Sequence, residues 1–574
     1  MNDAGAANTV GGGPGRGRGR TRRSRRRSPS IIAILLACAL VVAGATAGSA
    51  GQRVARDPVP GEDAVSFSTA EDLGVDVDWG DRCDTERGTV AIPYFYAAEC
   101  HAPFTGDNGG ETATGVTEDS IKIVWFLDKN DDAILRYIRG PLNYDDTNAD
   151  QVATMEGLLA MYETYYETYG RSVELVVVEN SSGSADAVQA RAQAAQIAED
   201  IKPFMVWGNP TLAGEQFGEE LAARGIPWLS LGGVTNAFAK ERAPYVLGIG
   251  KGAVQSRIQL AEYIGKQLAG RKAAHSPDFA KDERKFAMIY IETSESSTET
   301  AERFEAELKD EYGVELADVI PYTLDPATIQ EQAATIIGRL KVNGITSVIM
   351  ATDPIAPKDF TQEATAQEYF PEWIISSVAL VDTNAFARTY DQAQWANAFG
   401  MSESAAKADP TIGGGYHLYN WFVGERPPAD EQVPLIQPWP GVFYSVVQGV
   451  GPDLTPKRFY NTLLESEPTA RGGITTVSLG YGKKKIWPKD LEPDTNGVDD
   501  VTEIWWDPKE RGVDENGDEG AGMYQYVDGG KRYLPGDLPK RPTKAFVRKG
   551  AVSFYDERPA AEVAPDYEPL PSVR

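Results

Sequence analysis

From Ile121 onward, short uninterrupted apolar runs alternate with longer stretches of helical periodicity, and this alternation restricts the fold more than any other feature. IKIVWFL (121–127), VELVVVEN (173–180), PFMVWG (203–208) and PWLSLG (227–232) are too short for helices. They are also too continuous for strands with one wet face, so they read as strands buried on both sides. Between them, Met155, Leu158, Met161, Tyr162, Tyr165 and Tyr169 share one face of a helix over 150–169, and helices over 184–200 and 212–224 follow. The alternation then restarts with YVLGIG (245–250), a helix over 253–269 and FAMIYIE (286–292). A capping box from Ser296 to Glu299 opens the next helix, which aligns Ala301, Phe304, Leu308 and Tyr312. A strand near 314–323, helix 326–342, strand SVIMAT (347–352), helix 358–369 and strand WIISSV (373–378) complete a second array. Strands separated by helices pair in parallel, so the expected class is α/β with two similar lobes.

Past residue 380 the regularity fades. Helices are expected near 383–399, 413–424, 441–450 and 455–465, and strand-like pieces at 474–479, 501–506 and 523–527. The last forty residues, 535–574, carry seven prolines and read as loop. Ahead of the arrays, residues 53–114 are rich in Gly, Pro, Asp and Thr and read as a linker and an extension.

The N-terminal residues differ from the rest. Segment 1–29 carries eight arginines against one acid, Asp3; with these set aside, 48 basic residues face 83 acidic ones, compared with 56 and 84 in the whole chain. A body that acidic repels nucleic acid, so no nucleic-acid partner is expected. Residues 30–52 are uncharged, SIIAILLACALVVAGATAGSAGQ, about long enough to cross a hydrocarbon core of roughly 30 Å. Arginines before it and acids after it place residues 60–574 outside the cell. Small residues at Ala45–Ala47 and Gly48–Ala50 offer cleavage sites, so a signal peptide competes with a membrane anchor. Cys38 reads as a membrane-embedded cysteine rather than a lipidation site. Cys83 and Cys100 fall in the exported part with no third partner there, which predicts one disulfide.

Three histidines, His101, His275 and His417, serve the whole chain, and no nucleophile elbow, zincin, P-loop or dinucleotide motif is present. No enzyme, cofactor or metal is therefore expected; a secreted hydrolase would need a carboxylate pair facing the cleft. Asp514, Asn516, Gly517 and Asp518 resemble the opening of a calcium loop, but Glu519 stands where the turn needs Gly and Gln525 where a bidentate Glu belongs. Polar residues do follow the parallel strands, where open α/β sheets bind ligands. Asn209 and Thr211 follow VWG; Gly233 and Thr235 follow PWLSL; Thr293 and Ser294 follow FAMIYIE and open a helix; Asp353 follows SVIMAT. Each alone is ordinary turn and N-cap chemistry. Together, without catalytic groups, they favour a ligand clamp.

The residues then resemble a known family. GVTEDSIKIVWFL (115–127), KFAMIYIETSESSTETAERFEAEL (285–308) and the stretch from ATIQEQAATIIGRLK through EYFPEWIIS (327–376) are similar, in order, to type I periplasmic binding proteins of the branched-chain amino-acid group. The resemblance covers about 115–480, and the tail at 503–508 and 522–536 looks like that of large actinobacterial members. It implies two Rossmann-like lobes, 115–247 plus about 380–436 and 248–378 plus about 440–480, with 481–574 as an extension. Three crossovers would lie near 247–252, 377–382 and 436–442, with glycines 248, 250 and 252 at the first, and a small solute would bind in the interlobe cleft. Thr211 matches the family's first ligand turn; Gly232-Gly233-Val234-Thr235 departs from the second at Val234, which disfavours an amino-acid ligand. The implied function is an exported solute-binding protein of an ABC importer, anchored or secreted at the outer face of the membrane, delivering solute to permease subunits. A membrane-anchored sensor with the same clamp is the alternative.

Overall fold

A run such as Ile121–Leu127 buries both of its faces, which dictates a sheet covered by helices on each side. The computed structural model describes residues 57–574 apart from 141–144, 377–379, 467–471 and 574. Segments 1–29 and 30–52, with Cys38 and the proposed export signal, lie outside the described residues. Among the described residues no helix is long and apolar enough to cross a membrane.

A small antiparallel pair, β1 (Cys83–Asp84) and β2 (Thr89–Val90), comes first. The first large sheet holds β3 (Ser120–Leu127), β4 (Ser172–Glu179), β5 (Met205–Trp207), β6 (Trp228–Ser230) and β7 (Val246–Gly248). It is wholly parallel, in the order β4-β3-β5-β6-β7. Ile123, Trp125 and Leu127 pack one face against Met155, Leu158 and Tyr162 of helix Asn148–Tyr165. Val124, Phe126 and Val206 pack the other against Ala194, Phe217 and Leu221. Trp125 and Trp207 are fully buried; each removes about 200 Å² from water, worth about 5 kcal/mol before entropy is charged.

The second sheet is built from β8 (Phe286–Ile291), β9 (Asp318–Tyr322), β10 (Ser347–Ala351), β11 (Glu372–Ser376), β12 (Ala398–Ser402), β13 (Val501–Val513), β14 (Glu519–Tyr526) and β15 (Arg532–Tyr533). Its path is β14-β13-β12-β11-β10-β8-β9, with β15 pairing β13. The five strands β8 to β12 run parallel, whereas β13 is antiparallel to β12 and to β14. The acidic turn at 514–518 is the tip of this last hairpin. Arg388 and Lys407 pair with its Asp514 and Glu515, at 2.7 and 3.2 Å, so it is an ion-paired corner of the sheet.

Three expectations are corrected. Residues 398–402 form a strand rather than the end of a helix, because AFGMS completes the sheet between β11 and β13. Residues 384–402 pack in the second core, through Phe386, Tyr390 and Trp395. Helices Gly414–Val423, Pro438–Val450 and Pro456–Glu465 pack in the first, through Leu418, Phe443, Tyr444 and Phe459. The expected lobe shares are thus exchanged for 384–402 and for 440–465, whereas 414–436 packs with the first core as expected. The chain accordingly changes core near 249–252, 403–413 and 472–500, not at 377–382 and 436–442.

The two terminal segments add to this frame. Cys83 and Cys100 are joined in a disulfide, and Val90, Ile92 and Ala97 join the first core. Arg82 pairs with Glu167 at 2.6 Å, and Gln448 donates to the Glu99 carbonyl at 2.9 Å. The C-terminal segment leaves the second sheet where Val552 bridges Tyr526. It runs beside the second crossover, with Tyr555 N donating to Lys407 O at 2.9 Å. It then closes on the first lobe: Trp421 donates to Tyr567 O at 2.6 Å, Tyr567 to Asp84 at 2.7 Å, and Leu570 N to the Tyr165 hydroxyl at 2.8 Å. The irregular tail is therefore pinned, with Glu562 accepting from Ile474 N and Thr475 N at 2.6 and 2.8 Å.

Candidate functional site

The carboxyl ends of the first sheet are tied together by Asp128. Its carboxylate accepts from Asn180 at 2.6 Å and from the Thr211 amide and hydroxyl at 2.9 and 2.7 Å. Burial pushes the Asp128 carboxyl up, against the opposing pull of those bonds. Thr211 thus spends its hydroxyl proton inside the lobe, and Asn209 donates to Pro210 O at 2.8 Å. The next loop is held by the third crossover: Asn496 accepts from Val234 N at 2.9 Å and donates to Val234 O at 3.0 Å. A Cβ on Gly233 would lie 1.8 Å from Lys251 O, so only glycine lets this loop lie on the first crossover. Thr235 caps the short helix Asn236–Glu241 by accepting from Phe238 N at 3.4 Å.

On the facing wall, β8 ends in Thr293 and Ser294, and helix Glu295–Tyr312 follows. Ser294 is its N-cap and makes no side-chain cap bond, so the capping box expected from Ser296 to Glu299 does not form. The Thr293 and Ser297 hydroxyls bond each other at 3.2 Å. The first-turn amides of an 18-residue helix therefore face this wall without a side-chain cap.

A cavity of about 270 Å³ lies between the walls. The structure brings six of the seven expected residues to it: Asn209, Thr211, Gly233 and Thr235 from the first lobe, Thr293 and Ser294 from the second. The seventh, Asp353, is elsewhere. It is buried and accepts hydrogen bonds from the Tyr322 hydroxyl and from Ile355 N and Ala356 N, the last two at 2.7 and 3.0 Å. Its short side chain is used up in fixing the turn before helix Ala356–Ala366, with burial pushing its carboxyl up. One carboxylate, Glu215, lines the cavity, where glycoside hydrolysis would need two.

Two residues that sequence reasoning missed also line it. Arg257 stands on helix Ala253–Tyr263, immediately after the first crossover, and is 6 % exposed. Its Nη1 has no hydrogen-bond partner, and among the described residues no carboxylate pairs with it. Burial draws its guanidinium down to about 10, with Glu403 pulling the other way. Thr300, 5 % exposed, has a buried Oγ1 that is likewise unpartnered. The crossovers behind them are ionic. Lys251 donates to Gln259 and to Asp500 O, Ser256 donates to Glu403, and Arg532 pairs with Asp500 at 2.7 Å. Burial lowers the Lys251 ammonium and raises the Glu403 carboxyl.

A further link joins the lobes away from the crossovers. Tyr137 and Ile138, on helix Ala133–Arg139, pack against the second core, and the Tyr137 hydroxyl donates to Asp359 at 3.0 Å.

No protein-family model and no curated protein sequence matches the chain. Solved structures do. An ABC-transporter solute-binding protein from R. palustris in complex with 4-hydroxybenzoate is 12 % identical, with a TM-score of 0.50 over 74 % of this chain and 98 % of that one. A fatty-acid ABC-transporter substrate-binding protein from Thermomonospora curvata is 14 % identical at a TM-score of 0.48, over 73 % and 94 % of the two chains. A branched-chain amino-acid transporter substrate-binding protein from Streptococcus pneumoniae, in complex with isoleucine, is 12 % identical at 0.46, over 71 % and 100 %. At 12 % identity the likeness to the R. palustris protein shows a shared fold.

Proposed function

We propose that the chain is the extracytoplasmic solute-binding protein of an ABC importer, which closes its two lobes on a small organic solute and presents it to a permease. One observation carries this reading: the cavity walls belong to two different sheets, at the carboxyl ends of their parallel strands, and crossovers join the two. Loops at the carboxyl ends of β5, β6 and β8 meet there, which is where open α/β sheets bind ligands. The fold shared with the solute-binding protein from R. palustris supports it. Residues 30–52 would supply export, as a cleaved signal or an anchor.

The test is thermal stabilisation of the ligand-free protein across a metabolite library. A true solute at about 100 times its Kd adds roughly 2.7 kcal/mol. Small-angle scattering on the hits should show a smaller radius of gyration. Hits that leave the radius of an initially open protein unchanged would overturn the clamp.

A further inference from the structure

A largely buried guanidinium is unfavourable unless something pairs with it. Arg257 is such a group, and its surroundings leave it unsatisfied. Among the described residues it makes no hydrogen bond and no ion pair, and Glu403, its electrostatic neighbour, is engaged by Ser256 and drawn toward Lys251. Thr300 offers a second unpartnered buried polar atom on the same cavity. The uncapped first turn of helix Glu295–Tyr312, which carries Thr300, supplies a partial positive charge to that wall.

We propose that the solute is an organic monocarboxylate whose carboxylate is held by the second lobe, between Arg257 and Thr300. The inference rests on the solute-capture reading. It places the anionic end opposite the first-lobe turns at 209–211 and 233–235, where the Thr211 hydroxyl is already given to Asp128. Glu215 on the first-lobe wall disfavours a second negative charge on the solute. A guanidinium fits a carboxylate with two parallel N–H donors, and a threonine hydroxyl adds a third. The cation also faces the cleft from the helix that follows the first crossover, so an acid bound to it draws that crossover toward the opposite wall. Closing and charge recognition then use the same residue.

The experiment uses the unfolded, stripped and refolded full-length exported protein and matched acid and amide probes: 4-hydroxybenzoate with 4-hydroxybenzamide, hexanoate with hexanamide, and lactate with lactamide. Calorimetric titration should show at least one acid binding tenfold or more tightly than its amide. Arg257→Gln should remove that preference, and Thr300→Val should weaken the acid severalfold. A readout without ligand separates this role from a structural one: Arg257→Met should leave the melting temperature of the empty protein unchanged or higher. An amide that binds as well as its acid, no binding by any acid, or a fall of several degrees in empty Arg257→Met would each overturn the proposal. If neutral or amine solutes bind instead and contract the protein in scattering, solute capture stands and the carboxylate assignment alone fails.

Discussion

Gly233 offers a direct test of how the first lobe is joined to the first crossover. A methyl group there would meet Lys251 O at 1.8 Å, its carbonyl carbon at 2.1 Å and Gly252 N at 2.5 Å. Non-bonded carbon contacts settle near 3.5 Å, so Gly233→Ala must push the two backbone segments apart by about 1.5 Å. The segments are held by Ile249 N to Ser230 O at 2.9 Å and Gly250 N to Leu231 O at 3.0 Å. Overpacking of this kind costs about 1–3 kcal/mol, and each weakened bond about 1 kcal/mol. A gain of about 0.4–1 kcal/mol from the stiffer unfolded chain offsets some of it. The net expectation is a loss of about 2–4 kcal/mol. Gly250→Ala is the control, because its methyl would lie no closer than 3.0 Å, to Gly233 N. Neither glycine has a positive φ, so the two substitutions differ in contact distance and little else. Gly250→Ala should stay within about 1 kcal/mol of the parent. Equilibrium urea unfolding measures both. The reasoning fails if Gly233→Ala is as stable as the parent, or if Gly250→Ala is the worse of the two.

Further outcomes follow from other contacts. Tyr137→Phe removes the O–H donated to Asp359 across the lobes and should cost the closed form about 1 kcal/mol, read as a larger radius of gyration for the empty protein; an identical scattering profile would count against the contact. Glu431 and Asp146 are pushed up, to about 7 and about 6, by burial first, with repulsion from Asp146 adding to it at Glu431 and from Asp430 and Asp145 at Asp146. Their folded values lie above the unfolded ones, so stability is present below about pH 4 and is lost as pH rises toward 7. Glu431→Gln should therefore raise the free energy of unfolding at pH 8 by about 1 kcal/mol after screening at this partly exposed site, and leave it nearly unchanged at pH 4, both read from urea unfolding. Equal effects at both pH values would contradict the repulsion. Removing the disulfide with Cys83→Ser and Cys100→Ser frees a loop of sequence separation 17; about 3 kcal/mol should go in urea unfolding, and an unchanged midpoint would refute it.

Much of the frame was legible because buried parallel strands write themselves as continuous apolar runs. β3, β8, β10 and β11 fall within two residues of their expected positions for that reason. Lobe membership past residue 380 was not legible, since apolar periodicity tells a helix that it has a core but not which one. Leu418 and Phe386 have the same character and serve different sheets. β12 was lost because AFGMS has three small residues and no β-branched one, and only its neighbours make it a strand. The cleft loops were found by position after strands, yet Thr211 and Asp353 turned out to be engaged within their lobes, which residue type cannot disclose. Arg257 was missed for the opposite reason. Helix Ala253–Tyr263 carries Gln255, Arg257, Gln259 and Glu262, a pattern that reads as solvated, yet all four are buried among crossovers and tail. A sequence shows polarity; it does not show what covers it.

The bond from Tyr567 to Asp84, 483 positions apart, has a kinetic meaning. The first lobe contains both the earliest and the latest described stretches of the chain, so it cannot be finished until the last residues have arrived. Loops of that length must be closed before their contacts give anything back, which slows the final assembly. Under the proposed export the order would be useful: the polypeptide would thread outward while its first sheet still lacks its covering segments, and folding would finish only on the far side. A chain cut short near residue 550 should emerge with the first lobe loosely covered and prone to proteolysis, and its defect should be one of completion rather than of any single contact.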